Sequence, residues 1–186
     1  PRRNSVDCPP QTRDRREARQ ARGYAVTVNR ELVLDQTGVR TARIVCKFGG
    51  SSLASPEQLR KVRAIVDADE RRLIIVPSAP GKRDAKDTKI TDLLYLCQHA
   101  ASVGADFSAS FARVAERFIG IERELGIAPT IAAHLERFRE ALGQGVTADY
   151  AASRGEHFSG LFLAAWLGAE FVEPADCIVI GANGLV

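Results

Sequence analysis

The chain has 186 residues, 45% of them hydrophobic and 26% charged, and a net charge of +3, a balance that suits one globular domain with a core. No apolar run reaches the length of a membrane-spanning helix, and the N-terminal residues do not resemble a secretory signal, so we expect a cytoplasmic protein. The four cysteines are scattered and form no CxxC pair, which argues against a zinc site or a disulfide framework.

Positive charge is concentrated at the N-terminus. Residues 1–40 contain nine arginines and five acidic residues, a net +4, so the rest of the chain carries −1. We interpret residues 1–40 as a basic extension that is disordered or, over 24–35, forms a weak hairpin. The arginines are not interleaved with aromatic residues and match no nucleic-acid motif, so we do not expect nucleic-acid binding.

A βαβ unit follows the extension. The β-branched residues of 43–48 predict a strand, and the apolar run 73–77 predicts a second strand that is covered on both faces. Between them, Ser55 suits a helix N-cap, Pro56 the first helical position and Glu57 the positive end of the helix dipole. Strand, helix and strand within this length predict a parallel pair with a right-handed crossover.

The remaining pattern is mostly helical. A charged loop over 78–90 leads to a helix that starts near Thr91 or Asp92. We then expect helices over about 106–125 and 129–142, a further helix within 149–168, and one or two strands in 169–180. Residues 41–186 are therefore predicted to form one α/β domain with a mainly parallel sheet.

Ligands of open α/β sheets bind beyond the carboxyl ends of the strands, and the first strand ends in a lysine, two glycines and two serines. Lys47, Gly49, Gly50, Ser51 and Ser52 suit a phosphate group, because glycines let backbone N–H groups approach an anion and lysine adds positive charge. The spacing matches neither a P-loop nor a dinucleotide fingerprint. Taken alone, these residues fit a glycine turn after a strand-edge lysine equally well.

Two further segments carry candidate substrate-binding residues. Thr91 suits a helix N-cap, and beside the glycine loop its hydroxyl could hold a carboxylate. Glu156 follows a turn of small residues within an apolar segment and could bind an ammonium group. An acid in the first turn of a helix explains Glu156 equally well.

Together the three segments resemble the opening half of the catalytic domain of aspartate kinases. The resemblance rests on "CKFGGSS", on "VPSAPGK" with "KITDLL", and on "SRGEHFSGLFLAAWL", in this order, and covers about residues 42–180. It implies a three-layer αβα fold of the amino-acid-kinase type. It also implies transfer of the ATP γ-phosphate to the β-carboxylate of L-aspartate, the first step of lysine, threonine, methionine and diaminopimelate biosynthesis.

The resemblance also implies a role for each residue. Lys47 would neutralise the transferring phosphoryl group, which Gly49, Gly50 and Ser51 would cradle, with Ser52 closing the turn. Ser78 would line the substrate loop, and Thr91 and Glu156 would position aspartate. ATP would arrive with Mg²⁺ as the substrate complex, no metal site of the protein's own is expected, and the complete protein is expected to be a homo-oligomer.

The family also has a Gly-Gly-Ser-Asp loop, an arginine for the substrate α-carboxylate, an adenine-binding lobe and regulatory ACT domains, which do not occur in the 186 residues. We therefore expect the chain alone to have little or no kinase activity. Two alternatives stay open: a truncated, non-catalytic kinase-fold binding module, and another amino-acid kinase.

Overall fold

Four strands form a single sheet in the computed structural model, which describes residues 25–27 and 42–179. The strands are β1 (Ala25–Thr27), β2 (Ile44–Phe48), β3 (Arg72–Pro77) and β4 (Glu170–Val172). Their spatial order is β2, β3, β1, β4. β2 and β3 are parallel, which confirms the predicted βαβ unit, and β1 is antiparallel to both of its neighbours.

β1 belongs to the segment that the sequence assigned to the N-terminal extension. Val26 pairs with Ile75 of β3 on one side and with Phe171 of β4 on the other. This short piece of the extension therefore lies inside the sheet and makes it mixed. The rest of 1–40 lies outside the described residues, so its predicted disorder or hairpin stays a prediction.

Six α-helices and one 3₁₀ turn complete the described part of the chain. The 3₁₀ turn, Gly50–Leu53, directly follows β2, and the helices follow in chain order: α1 (Pro56–Asp67), α2 (Ile90–Ser102), α3 (Ser108–Leu125), α4 (Ala132–Gln144), α5 (Ala148–Leu167) and α6 (Pro174–Cys177). Among the described residues, 169–179 thus contain one strand and a short helix. Pro174 suits that helix start because its fixed φ and missing N–H are tolerated in a first turn.

Two helix starts show what local sequence can and cannot specify. α1 begins as predicted, with Pro56 first and the Ser55 hydroxyl accepting the Gln58 N–H at 3.4 Å. α4 begins three residues later than predicted. The Glu122 carboxylate of α3 accepts the N–H groups of Thr130 and Ile131 at 2.9 and 3.0 Å. A side chain from a neighbouring helix therefore binds the two residues that directly precede α4, a contact that helix periodicity within 129–142 could not reveal.

The core lies between the sheet and the helices. Phe48 of β2 and Ile75 of β3 belong to one buried cluster with residues of the helices. In this cluster Phe118 of α3 and Phe158 of α5 pack edge to face, with their ring centroids 5.2 Å apart. Val45, on the opposite face of β2, is 60% exposed. The predicted α/β class is confirmed. None of the helices in the described ranges is both long and apolar enough to cross a bilayer.

Candidate active site

The carboxyl ends of β2 and β3 lie side by side because the two strands are parallel. Lys47 is in register with Val76, and Phe48 with Pro77. The pairing continues one step further, since the Ser78 N–H donates to the Phe48 carbonyl at 3.0 Å. The loops that follow the two strands therefore leave the sheet at neighbouring points, where ligands bind in open α/β sheets.

Lys47 places its ammonium group close to the start of the glycine loop. The residue is exposed, while the next side chain, Phe48, is buried and anchors the strand end in the core. A Cβ atom built on Gly49 would lie 3.7 Å from Lys47 Nζ. This arrangement puts a positive charge beside a turn of small residues, which suits an anionic ligand.

The 3₁₀ turn after Gly49 is closed by its own backbone. The Ser52 N–H donates to the Gly49 carbonyl at 3.0 Å, and the fully buried Leu53 fixes the end of the turn. Ser51 is exposed and Ser52 is half-buried. The turn is thus anchored in the core, with Ser51 on the solvent side.

The loop after β3, residues 78–89, interlocks with this turn. The Gly81 N–H donates to the Gly50 carbonyl at 2.8 Å. A Cβ atom on Gly50 would lie 2.8 Å from Ala79 O, and one on Gly81 would lie 2.8 Å from Gly50 C. Both distances are too short for a real side chain, so glycine at these two positions allows the loops to touch backbone to backbone.

Glu156 reaches the same place from α5. The preceding residue, Gly155, brings the helix against the loop, because a Cβ atom there would lie 2.6 Å from Ala79 Cβ. Glu156 Oε1 accepts the Ala79 N–H at 3.3 Å. Burial raises the pKa of Glu156, whereas hydrogen bonds from backbone N–H groups, including that of Ala79, and the positive charges of Lys47 and Arg154 act in the opposite direction.

The structure therefore brings together a cation, an anion and two backbone loops at one edge of the sheet. Lys47 and the 3₁₀ turn come from β2, Ser78 and Ala79 from β3, and Glu156 from α5. An anionic group could approach Lys47 and the turn, while an ammonium group could approach Glu156.

Two of the sequence-based interpretations need correction. Glu156 lies in the interior of the 20-residue helix α5, so it belongs neither to a turn nor to the first turn of a helix. The helix tolerates Gly155 there because the glycine gives close packing against Ala79. Thr91 is not an N-cap, since α2 begins at Ile90 with Lys89 at the cap position. Thr91 lies in the first turn of α2, half-buried, at the end of the interlocking loop.

Sequence reasoning missed a buried ion pair between α3 and the loop after β3. The Arg117 side chain of α3 is 5% exposed and that of Asp87 is 7% exposed, and the two are hydrogen-bonded. A signal for Arg117 was present, since it lies between Val114, Phe118 and Ile121 in the apolar stripe of α3. Asp87 had no comparable signal, because it looks like one more charge in an exposed loop.

No group of three or more histidine, cysteine, aspartate or glutamate residues within the described ranges is arranged to hold a metal ion.

A family model described as the amino acid kinase family matches residues 42–184. The chain belongs to the amino acid kinase family. It is 38% identical over 155 residues to aspartokinase 3 of Bacillus subtilis (strain 168), an alignment that covers 75% of this chain and 33% of the relative.

Solved structures of aspartate kinases are similar as well. The crystal structure of the Clostridium acetobutylicum aspartate kinase matches with 48% identity and a TM-score of 0.68, over 70% of this chain and 30% of that one. E. coli aspartokinase III in complex with aspartate and ADP matches with 25% identity and a TM-score of 0.53, over 68% and 29%. The predicted family and fold are confirmed, and the chain spans about a third of the length of these relatives.

Proposed function

We propose that the protein is an aspartate kinase, which transfers the γ-phosphoryl group of ATP to the β-carboxylate of L-aspartate to give 4-phospho-L-aspartate. The observation that carries this proposal is the convergence of Lys47, the interlocked glycine loops and Glu156 at one sheet edge. The relative from E. coli that binds aspartate and ADP supports the choice of substrates. Residues 42–179 would supply the aspartate-binding and phosphate-facing part of the site.

The proposed chemistry is mainly positioning and neutralisation of charge. The β-carboxylate and the γ-phosphoryl group are both anions and repel each other, so a kinase must hold them in line and offset their charge. Lys47 would donate to the transferring phosphoryl group, and its place over Gly49 supports this role. Gly49, Gly50 and Ser51 would line the phosphate, with Ser52 closing the turn. Mg²⁺ would arrive with ATP as part of the substrate.

Aspartate would be held from the other side of the site. Glu156 as a carboxylate would accept hydrogen bonds from the α-ammonium group of the substrate. Ser78 and Thr91, at the two ends of the interlocking loop, would contact the remainder of the amino acid. We also propose that the complete protein is a homo-oligomer in the cytoplasm. Its reaction would be the first step of lysine, threonine, methionine and diaminopimelate biosynthesis.

The proposal can be tested with the product of the complete gene in a hydroxamate assay that traps the acyl phosphate. We expect turnover with aspartate and ATP, and loss of at least about 100-fold in kcat for Lys47→Ala, because the charge on the phosphoryl group is no longer offset. Lys61→Ala is a matched control, since Lys61 is an exposed lysine that pairs with Glu57 on α1. Near-parental activity of Lys47→Ala would remove Lys47 from the mechanism.

The same assay separates the alternatives. Preference for glutamate, acetylglutamate or a nucleotide over aspartate would assign another reaction of the family. Absence of ATP-dependent turnover with all of these substrates would favour a binding module. We expect the 186 residues by themselves to show no turnover, so hydroxamate formation by the isolated chain would contradict that expectation.

A further inference from the structure

Arg117 of α3 makes hydrogen bonds to both segments of the candidate site, the one that follows β2 and the one that follows β3. Its Nη1 donates to the Gly81 carbonyl at 3.0 Å and to the Ala54 carbonyl at 3.4 Å, and its Nη2 donates to Asp87. Ala54 directly follows the 3₁₀ turn, while Gly81 and Asp87 belong to the loop after β3. A single buried guanidinium therefore joins the two segments that touch at Gly50 and Gly81.

Asp87 extends this connection along the loop. Its carboxylate accepts the Arg83 Nε–H and the Arg83 backbone N–H at 2.9 Å each, and its Oδ1 accepts the Thr88 N–H at 2.9 Å. The segment from residue 83 to residue 88 is thus organised around one carboxylate, which Arg117 holds against α3. This segment leads directly into Ile90 and Thr91 at the start of α2.

A buried guanidinium is maintained only when its donors are paired, and a planar fork with several donors can serve three acceptors at fixed angles. A lysine at this position would keep the charge but offer a single nitrogen. The geometry thus calls for arginine rather than for any cation.

We propose that Arg117 is a positioning residue that sets the distance between the phosphate-binding turn and the substrate loop. The inference rests on the proposed kinase function. Each substrate would depend mostly on one of the two loops for binding, whereas phosphoryl transfer depends on the separation of the two bound substrates. Loss of the Arg117 fork is therefore expected to lower kcat more than it changes either KM, because small misplacements of reacting groups have large effects on rate.

The test compares Arg117→Lys with Arg139→Lys in the complete protein. Arg139 is a suitable control because it also pairs with a carboxylate, Glu136, but both of these side chains are more than half exposed and lie on α4. We expect Arg117→Lys to lower kcat at least about tenfold, while the KM for aspartate and the KM for ATP change by no more than about threefold. Arg139→Lys should leave kcat and both KM values near those of the parental protein. Asp87→Asn should shift kcat in the same direction as Arg117→Lys, with a smaller effect.

Hydrogen exchange provides a second measurement that does not need activity. The Gly81 N–H, bonded to Gly50 across the two loops, and the Ile90 N–H, bonded to Pro80 within the loop after β3, should exchange faster in Arg117→Lys, while the Ser78 N–H at the strand ends should be unchanged. An unchanged kcat, or a raised KM at constant kcat, would overturn the inference. If the parental protein has no kinase activity, the proposed function fails. In that case unchanged hydrogen exchange at Gly81 and Ile90 in Arg117→Lys would overturn the positioning role by itself.

Discussion

Gly50 and Gly81 are in direct backbone contact, with the Gly81 N–H bonded to the Gly50 carbonyl and no room for a side chain on either residue. The contact fixes the turn after β2 against the loop after β3. The two sides of the candidate site are therefore in direct contact, and any residue that separates the glycines should disturb both sides.

Gly50→Ala is expected to separate the loops. The added methyl would collide with the carbonyl oxygen of Ala79, a backbone atom that cannot rotate away, so we expect a loss of about 1–3 kcal/mol in local stability together with reduced kcat. The measurement is hydrogen exchange of residues 49–54 and 79–90. Gly120→Ala is the control, because nothing lies near its Cβ position in α3, and it should raise stability by about 0.5–1 kcal/mol. Equal effects of the two substitutions would contradict the contact.

Gly155→Ala is expected to push α5 away from the substrate loop and to displace Glu156. The new Cβ would lie 2.6 Å from the Ala79 Cβ, so the double variant Gly155→Ala with Ala79→Gly should recover part of the loss. We expect the single variant to raise the KM for aspartate, and the double variant to lower it again. Strictly additive effects in this double-mutant cycle would show that the two residues do not interact.

The raised pKa of Glu156 predicts a pH-dependent difference in stability. A carboxyl whose pKa is higher in the folded state contributes stability that is fully present below the unfolded pKa and is lost as pH rises through the folded pKa. Glu156→Gln removes this dependence. The variant should therefore gain stability relative to the parent as pH rises from about 4 towards neutral, as measured by paired thermal melts. A difference that does not vary with pH would contradict the burial effect.

The lowered pKa of Asp87 predicts the opposite pH dependence. Its hydrogen bonds from Arg83 are the main cause of the shift, with the charge of Arg117 acting in the same direction. The stabilisation is fully present above the unfolded pKa of about 4 and is lost progressively as pH falls from there through the lowered pKa of the folded state. Asp87→Asn should thus destabilise the loop by about 3 kcal/mol at neutral pH and by less at pH 2, measured as exchange of residues 83–90. Equal losses at both pH values would rule out a contribution from the charge.

The sequence predicted those features of the site that depend on local chemistry. The strand with Lys47, the capped start of α1 and the second parallel strand follow from periodicity, capping and β-branched residues, and the structure confirms them. A helix within 149–168 was predicted, but the position of Glu156 in its interior was not recognised because "SRG" looks like a turn. Only the contact of Gly155 with Ala79, a residue 76 positions away, explains why a glycine lies there.

The ion pair of Arg117 and Asp87 shows the same limit. An arginine in an apolar stripe is visible in the sequence, but its partners are two backbone carbonyls and a loop carboxylate that only the tertiary structure brings together. The start of α4 depends likewise on Glu122 from another helix. Interactions between distant segments decide these features, and neither periodicity nor residue type encodes them.

The position of β1 has a practical consequence for work on this protein. The family match begins at residue 42, so a recombinant protein could be designed to start at that residue. Ala25–Thr27 separates β3 from β4, and β1 is the strand with which β4 pairs in the described sheet. Removal of residues 1–41 would leave backbone N–H and C=O groups of β3 and β4 open along facing edges, where a strand of another molecule can add. A recombinant protein that retains these three residues should stay monodisperse under conditions in which the shortened form aggregates.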